Sequence, residues 1–282
     1  MKRSFFRYFP IFVLPTLAAF LIAFLVPFFM GLYLSFTEFT TVENATFVGL
    51  SNYLKVFSRE SGFWDAFFFT AKFTVVSTLL VNTVAFFLAL LLTRGRRGTN
   101  FFRTVFFMPN LIGGIVLGYI WQLIINGILG RFGVDITYKA EYGFWGLVVL
   151  TGWQLVGYMM IIYIAGLGSI PREMHEVAAI DGASPWQELR HITLPLVKPS
   201  ITICAFLTLT NSFKMFDQNF ALTGGAPGRE TSMLALDIYQ TFYGNVGSEG
   251  VGQAKAVIFF LLVAAIAGLQ LYFSRRSEAR SE

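Results

Sequence analysis

The sequence predicts an all-α integral membrane protein with six transmembrane helices. Of its 282 residues, 55% are hydrophobic and 13% are charged, whereas soluble domains average about 45–50% and about 25%. The chain contains 33 phenylalanines and six long apolar runs, and about 20 residues are enough for one helix to cross the hydrocarbon core of a bilayer. A protein with water on all sides is therefore excluded, and six spans leave no length for a large soluble domain.

The first apolar run covers residues 10–36 and follows three basic residues near the N-terminus. It is too long for the apolar region of a signal peptide and lacks a small-residue cleavage site, so we predict a retained helix. The other five runs cover residues 67–93, 104–125, 144–170, 197–216 and 251–273. We predict a first helix and outer loop over 1–65, a membrane core over 66–275 with a cytoplasmic loop at 171–196, and a cytoplasmic tail at 276–282.

The basic residues predict the orientation of these spans. If both termini are cytoplasmic, twelve Lys and Arg residues lie on the cytoplasmic side and five lie on the other side, in agreement with the positive-inside rule. The twelve are Lys2, Arg3, Arg7, Arg94, Arg96, Arg97, Arg103, Arg172, Arg190, Arg275, Arg276 and Arg280, and the five are Lys55, Arg59, Arg131, Lys139 and Arg229. The net charge of +5 is thus explained by topology, and we predict no nucleic-acid binding.

The residues give no sign of catalysis or of metal binding. Cys204 is the single cysteine and lies inside an apolar run, so neither an internal disulfide nor a multi-cysteine metal site can form. No paired carboxylates and no Ser-His arrangement support an intramembrane enzyme. We predict no catalytic residue and no metal ligand.

The cytoplasmic loop after the fourth span carries strong local signals for two short helices. Pro171 can open the first helix, predicted over residues 172–180, and Gly182 tolerates the left-handed conformation that ends a helix. Ser184 and Gln187 have the spacing of a capping box that starts the second helix, with Pro185 at its first position. Small residues around Ala178 and Gly182 let another surface approach closely, so we predict a docking loop that lies against the membrane.

The spacing within this loop resembles a known motif. Glu176, Val177 and Ala178 are followed after three residues by Gly182, and after nine more by Ile192, one residue, Leu194 and Pro195. This resembles the EAA motif, EAA-x3-G-x9-I-x-LP, of the membrane subunits of binding-protein-dependent ABC importers, with Val177 where alanine is common. Segments 47–57, 106–126 and 221–231 also resemble sugar permeases of the maltose, multiple-sugar and glycerol-phosphate type, so the likeness covers nearly the full chain.

The resemblance implies a type I ABC importer permease fold in the cell membrane of a bacterium or archaeon. It also implies a second permease subunit, two cytoplasmic ATPases, an extracytoplasmic solute-binding protein and a carbohydrate substrate. The motif residues Glu176, Val177, Ala178, Asp181, Gly182, Ile192, Leu194 and Pro195 would couple the permease to an ATPase. The chain has no G-x-x-x-x-G-K-[ST] phosphate-binding loop, so ATP and Mg are expected on the partner ATPase, with no cofactor bound by this chain.

Polar residues within the spans are candidates for the substrate pathway. Sugars need hydrogen-bonding groups beside aromatic faces, and the end of the fifth span offers both. The resemblance adds part of the fourth span, and the full predicted set is Trp153, Gln154, Tyr158, Asn211, Ser212, Lys214, Met215, Phe216 and Asp217. Lys214 and Asp217, three residues apart on one predicted helical face, can equally form an ion pair that only packs the helices.

Other features have more than one interpretation. Gly114 and Gly118 have the G-x-x-x-G spacing of close helix packing, whereas His175 and His191 are expected to be isolated surface residues. Lys72 is expected to extend its amine to the membrane surface. Two functional alternatives stay open, namely the same machinery acting on glycerol phosphate or another non-sugar solute, and an ion-coupled secondary transporter or channel that uses Lys214 and Asp217.

Overall fold

The computed structural model describes residues 2–93, 98–244 and 246–278. Within these residues, five helices are long and apolar enough to cross a membrane, and a sixth span exists if one sharply bent helix pair is counted as one span. The all-α membrane class is therefore confirmed. Arg94, Arg96, Arg97 and Arg280, the residues 279–282, and the side chains of Lys2, Arg3, Arg7, Arg275 and Arg276 lie outside the described part.

The helices follow the predicted runs with shifted ends. The first span is continuous over Lys2–Phe20, a π-helical turn at Leu21–Leu25, and Val26–Leu34. The remaining helices are Ser51–Phe57, Phe63–Thr93, Thr99–Phe107, Gly114–Leu129, Ala140–Gly168, Arg172–Ile180, Pro185–Glu188 continuing through a π-helical turn at Leu189–Thr193 to Leu194–Leu196, Lys198–Phe213, Asp217–Leu222, Leu234–Gly244 and Glu249–Glu278. Two-residue strands, Thr37–Glu38 and Thr46–Phe47, pair antiparallel in the outer loop.

Two of the predicted spans are interrupted. The run at 104–125 is divided by a 3-10 turn, Met108–Leu111, which contains Pro109 and separates Thr99–Phe107 from Gly114–Leu129. Proline lacks the N–H that a continuous helix needs and restricts the residue before it. The run at 197–216 ends its helix at Phe213, which moves the last predicted residues into a separate segment.

The smaller of two compact units comprises Met1–Phe63 and Ile238–Phe260. Lys255 is fully buried within it. Its amine donates hydrogen bonds to the carbonyl of Ser61 at 2.7 Å and to the hydroxyl of Thr241 at 2.9 Å. These acceptors replace water around a charge whose burial is otherwise costly, and they join the outer loop to the last spanning helix.

The larger unit comprises Trp64–Asp237 and Leu261–Glu282. Its central helix is Ala140–Gly168, because both apolar clusters of the core are built on it. One cluster contains Val81, Ala85, Met159, Met160, Tyr163 and Cys204, and the other contains Phe73, Leu117, Ile136, Leu147, Leu150, Met215 and Leu222. The docking loop and all but two of the predicted pathway residues border cavities that lie within this unit.

Candidate functional site

The first helix of the docking loop covers Arg172–Ile180, as predicted. It ends in a hydrogen-bonded reversal in which the N–H of Gly182 donates to the carbonyl of Ala179 at 3.2 Å and that of Ala183 donates to Ala178 at 2.9 Å. Gly182 has φ +71°, a conformation that glycine adopts without strain. The predicted helix end at Gly182 is therefore confirmed, and it turns the chain sharply toward the second helix.

The second helix of the docking loop starts at the predicted capping box. The N–H of Ser184 donates to the side-chain oxygen of Gln187 at 2.8 Å, and the N–H of Gln187 donates to the hydroxyl of Ser184 at 3.3 Å. This helix continues through Pro195 to Leu196. The break falls at Val197, between Pro195 and Pro199, where the chain bends by 70° into Lys198–Phe213.

The structure corrects the prediction for His175. Its Nδ1 lies 2.5 Å from a carboxylate oxygen of Glu188, so it is not an isolated surface residue. The pair connects the first helix of the docking loop to the second across the turn at Gly182. His191 contacts the carbonyl of Gln187 at 3.0 Å and is exposed.

The docking loop exposes apolar side chains on its surface. Ile180 is 84% exposed, Val177 and Trp186 are more than half exposed, and Ala178 is only 5% exposed. Glu176 and Asp181 are exposed as well. An apolar surface of this kind at the end of spanning helices is typical of a site that a protein partner covers.

A second candidate site lies where the fifth span is broken. Helix Lys198–Phe213 ends, residues 214–216 leave the helical path, and the helix Asp217–Leu222 begins. Our prediction that Lys214 and Asp217 share a helical face is therefore wrong. No local signal marks the break, since Lys214, Met215 and Phe216 are not helix-breaking residues.

A cavity of about 360 Å³ opens at this break. Seven of the nine predicted pathway residues line it, together with three others. The predicted ones are Gln154, Tyr158, Asn211, Lys214, Met215, Phe216 and Asp217, and the others are Asn110, Leu155 and Gln218. Trp153 and Ser212 do not line it, because Trp153 is 47% exposed with its ring 5.7 Å from that of Trp121 and Ser212 is fully buried.

Amide side chains connect three segments around the cavity. The Nε2 of Gln218 donates to the Oε1 of Gln154 at 2.8 Å, and the Nε2 of Gln154 donates to the carbonyl of Ile112 at 3.3 Å. The fourth span, the turn after Pro109 and the short helix Asp217–Leu222 are thereby joined. Such a network holds amide and carbonyl groups at fixed positions beside the cavity.

The short helix packs on a stripe of small residues in the helix Gly114–Leu129. A Cβ at Gly114 would lie 2.7 Å from the Cβ of Asp217, and one at Gly118 would lie 2.6 Å from that of Ala221. One turn further along, Gln122 donates to the carbonyl of Leu222 at 2.9 Å. The predicted close approach at Gly114 and Gly118 is confirmed, and it positions the segment that carries Asp217 and Gln218.

Several other polar residues of the spans hold helices together. Asn82 donates to the hydroxyl of Thr208 at 3.2 Å and accepts from that of Tyr163 at 2.8 Å. Lys72 lies with its amine 4.7 Å from the ring centre of Phe144. Among the described residues, no group of three His, Cys, Asp or Glu side chains is placed to hold a metal ion.

Comparison with protein families identifies the class. The sequence profile of the family described as "binding-protein-dependent transport system inner membrane component" matches residues 82–278. The chain belongs to this family. The match includes the docking loop and every predicted pathway residue.

Individual relatives of this inner membrane component match almost its whole length. It is 43% identical to a probable starch degradation products transport system permease protein of Thermoanaerobacterium thermosulfurigenes, over 98% of each chain. It is 30% identical to a trehalose/maltose transport system permease protein of Thermococcus litoralis, over 93% of this chain and 92% of that one. It is also 31% identical to a multiple sugar-binding transport system permease protein of Streptococcus mutans, over 90% and 91%.

Solved structures show the same fold. This inner membrane component superposes on a chain of a bacterial ABC transporter involved in the import of the acidic polysaccharide alginate, with a TM-score of 0.80, 21% identity and 98% coverage of both chains. A methionine ABC transporter gives a TM-score of 0.55 over 74% of this chain and 93% of that one. The predicted type I ABC importer permease fold is therefore confirmed.

Proposed function

We propose that this chain is a permease subunit of an ATP-driven importer of carbohydrate, with oligosaccharide as the favoured substrate class, and that it moves its substrate by alternating access. The observation that carries the proposal is the cavity at the broken span. Its lining combines four amides, Asn110, Gln154, Asn211 and Gln218, with the aromatic side chains of Tyr158 and Phe216. Hydroxyl groups of a sugar pair with amides, and its C–H faces pack on rings.

The charges of the cavity favour a neutral substrate. Lys214 and Asp217 both line it and both are exposed. The positive charge of Lys214 is therefore accompanied by the negative charge of Asp217, which acts in the opposite direction on a charged substrate. A phosphorylated solute would meet the repulsion of Asp217 together with the attraction of Lys214. The names of three relatives, which refer to starch degradation products, to trehalose and maltose, and to multiple sugars, support the same substrate class.

In this proposal the exposed surface of the docking loop binds a cytoplasmic ATPase, which holds ATP and Mg. Of the motif residues, Glu176, Val177, Asp181, Gly182 and Pro195 are exposed, Ile192 and Leu194 are half-buried, and Ala178 is buried. A second permease subunit, a second ATPase and an extracytoplasmic solute-binding protein complete the importer. Both termini lie in the cytoplasm.

The test is ATP hydrolysis by this chain reconstituted with the permease, ATPases and binding protein encoded beside it. Mono- and oligosaccharides and glycerol phosphate are added in turn. We expect stimulation by a neutral sugar. Stimulation only by glycerol phosphate would refute the substrate class, and the absence of any associating ATPase would refute the importer itself.

A matched pair of variants tests the cavity. Asn211→Leu removes an amide from the lining and is expected to raise the sugar concentration for half-maximal stimulation between about twofold and tenfold, since one hydrogen bond contributes about 0.5–1.5 kcal/mol. Asn82→Leu removes an amide that bonds between helices away from the cavity, and it is expected to lower thermal stability while leaving that concentration unchanged. Equal sugar responses in the two variants would contradict the assignment of the cavity.

A further inference from the structure

A larger cavity, of about 880 Å³, opens in the same unit beside the docking loop. One wall is apolar and belongs to the ends of two spanning helices, and the rim is charged. The apolar wall contains Phe87, Leu90, Leu91, Ile164 and Leu167, and the rim contains Arg103, Arg172, His175 and Glu188. The cavity plays no part in the proposed transport pathway, since it shares no lining residue with the cavity at the broken span.

The acidic residue of the rim has an ion-pair partner, whereas its two arginines have none among the described residues. Glu188 is engaged by His175 at 2.5 Å. Among the described residues, neither Arg103 nor Arg172 forms an ion pair. Arg103 makes only a long hydrogen bond of 3.5 Å to the carbonyl of Leu92, and its buried Nε has no partner in the described part of the chain. Two guanidinium groups therefore border the cavity without a carboxylate of their own, and guanidinium groups bind phosphate strongly.

The surroundings of Arg103 resemble those of a helix at a membrane interface. It lies on the short helix Thr99–Phe107, which exposes Phe101, Phe102 and Val105. A short helix that combines a basic residue with exposed aromatic residues is typical of segments that lie in the plane of the lipid headgroups. Phe87 and Leu91, on the apolar wall, are also more than half exposed, so the cavity is open to the side where acyl chains would lie.

We propose that this cavity binds an anionic phospholipid of the cytoplasmic leaflet. The phosphate contacts Arg103 and Arg172, and the acyl chains run along Phe87 and Leu91. The occupant is a lipid because it must satisfy an apolar wall of spanning helices and two guanidinium groups at once. A soluble anion satisfies only the second requirement. Since Arg172 is the first residue of the docking-loop helix, a bound headgroup would hold the start of that helix at the membrane surface.

The experiment measures lipid binding to the full chain purified in a neutral detergent. Spin-labelled phosphatidylglycerol and phosphatidylcholine with identical acyl chains are added, and the immobilised fraction of each is recorded. We expect preferential retention of phosphatidylglycerol. Arg103→Gln and Arg172→Gln are each expected to weaken it about fivefold, which corresponds to about 1 kcal/mol per basic residue near a headgroup. Arg131→Gln, an exposed arginine in the turn Gly130–Phe132, is the control.

Three outcomes would overturn the proposal. The first is equal retention of the two lipids, and the second is unchanged retention of phosphatidylglycerol in Arg172→Gln. Because Arg172 is exposed, a loss of retention in this variant would not be explained by a folding defect. The third is complete displacement of the lipid by inorganic phosphate or glycerol phosphate, which would indicate a site for soluble anions. None of these readouts involves transport, so the result is independent of the proposed function.

Discussion

The packing of the short helix Asp217–Leu222 on Gly118 leads to a sharp prediction about the cavity. Gly118→Ala adds a methyl group whose carbon would lie 2.6 Å from the Cβ of Ala221, 3.2 Å from the carbonyl oxygen of Gln218 and 3.4 Å from the N of Leu222. Only the first distance is far below van der Waals contact. Overpacking of this kind costs about 1–3 kcal/mol, and the six-residue helix can yield more easily than the sixteen-residue helix that carries Gly118.

The expected result is a displaced short helix, with Asp217 and Gln218 moved relative to the rest of the cavity lining. An energy of about 1–3 kcal/mol changes an equilibrium between fivefold and 150-fold. We therefore expect Gly118→Ala to raise the sugar concentration for half-maximal stimulation of ATP hydrolysis by at least about fivefold. The measurement uses the reconstituted transporter, and thermal unfolding of the same samples reports the loss of stability.

Two further variants separate this mechanism from a general effect of adding a methyl group. Gly127→Ala changes the same helix at a position where a Cβ meets nothing within 4 Å, and it is expected to leave the sugar response unchanged. Ala221→Gly removes the atom that clashes, so the double variant Gly118→Ala with Ala221→Gly is expected to regain most of the response. If Gly118→Ala behaves like Gly127→Ala, or if the double variant is no better than Gly118→Ala, the reasoning is refuted.

Three other predictions concern the loops. Gly182→Val is expected to reduce uptake at normal expression, because a branched residue at φ +71° costs about 1–2 kcal/mol. Gly182→Asn should keep most uptake, since asparagine tolerates this conformation. Equal uptake by the two variants would exclude the backbone conformation at the helix end as the cause. His175→Ala and Glu188→Ala should each lower docking-loop stability by less than about 1 kcal/mol, and hydrogen exchange of residues 172–188 should show that the double variant is no worse than either single one. Arg229→Gln removes the guanidinium that lies 3.1 Å from a carboxylate oxygen of Asp237, which is 2% exposed, and should lower the unfolding free energy by about 1–3 kcal/mol. Adding Asp237→Asn should recover part of this loss, as measured by thermal unfolding. A double variant less stable than Arg229→Gln alone would contradict the prediction.

Features set by neighbouring residues could be predicted from the sequence. The capping box at Ser184 and Gln187 and the left-handed turn at Gly182 depend on local hydrogen bonds and on the backbone freedom of one residue. The identities of the neighbouring residues are therefore enough to predict them. The spans could be predicted for a similar reason, because each is a long apolar run. The interruption at Pro109 also had a local signal, but the apolar character of the surrounding run concealed it.

Features set by distant residues could not be predicted in this way. Residues 214–216 contain neither glycine nor proline, and they leave the helical path where the following segment packs on Gly114 and Gly118, about one hundred residues earlier in the chain. Gln218 lines the cavity because of that packing, and Asn110 lines it from the turn Met108–Leu111 that interrupts the neighbouring span. The pairing of His175 with Glu188 depends on the angle between two short helices, which no spacing rule specifies.

The two candidate sites are linked by one uninterrupted helix. The docking loop ends at the 70° bend around Val197, and Pro199, at the second position of the next helix, cannot donate the hydrogen bond that would continue the previous one. Lys198–Phe213 then extends for 16 residues, or about 24 Å, and ends at the broken segment beside the cavity. A helix of this length resists bending, so a change in its direction would occur at the breaks at its two ends. In the proposed transport cycle, movement of the docking loop with its ATPase would therefore tilt this helix as a rigid body and displace Asn211 and Lys214 at the cavity. Under the proposed function, the broken span would therefore give alternating access a physical basis within this one chain.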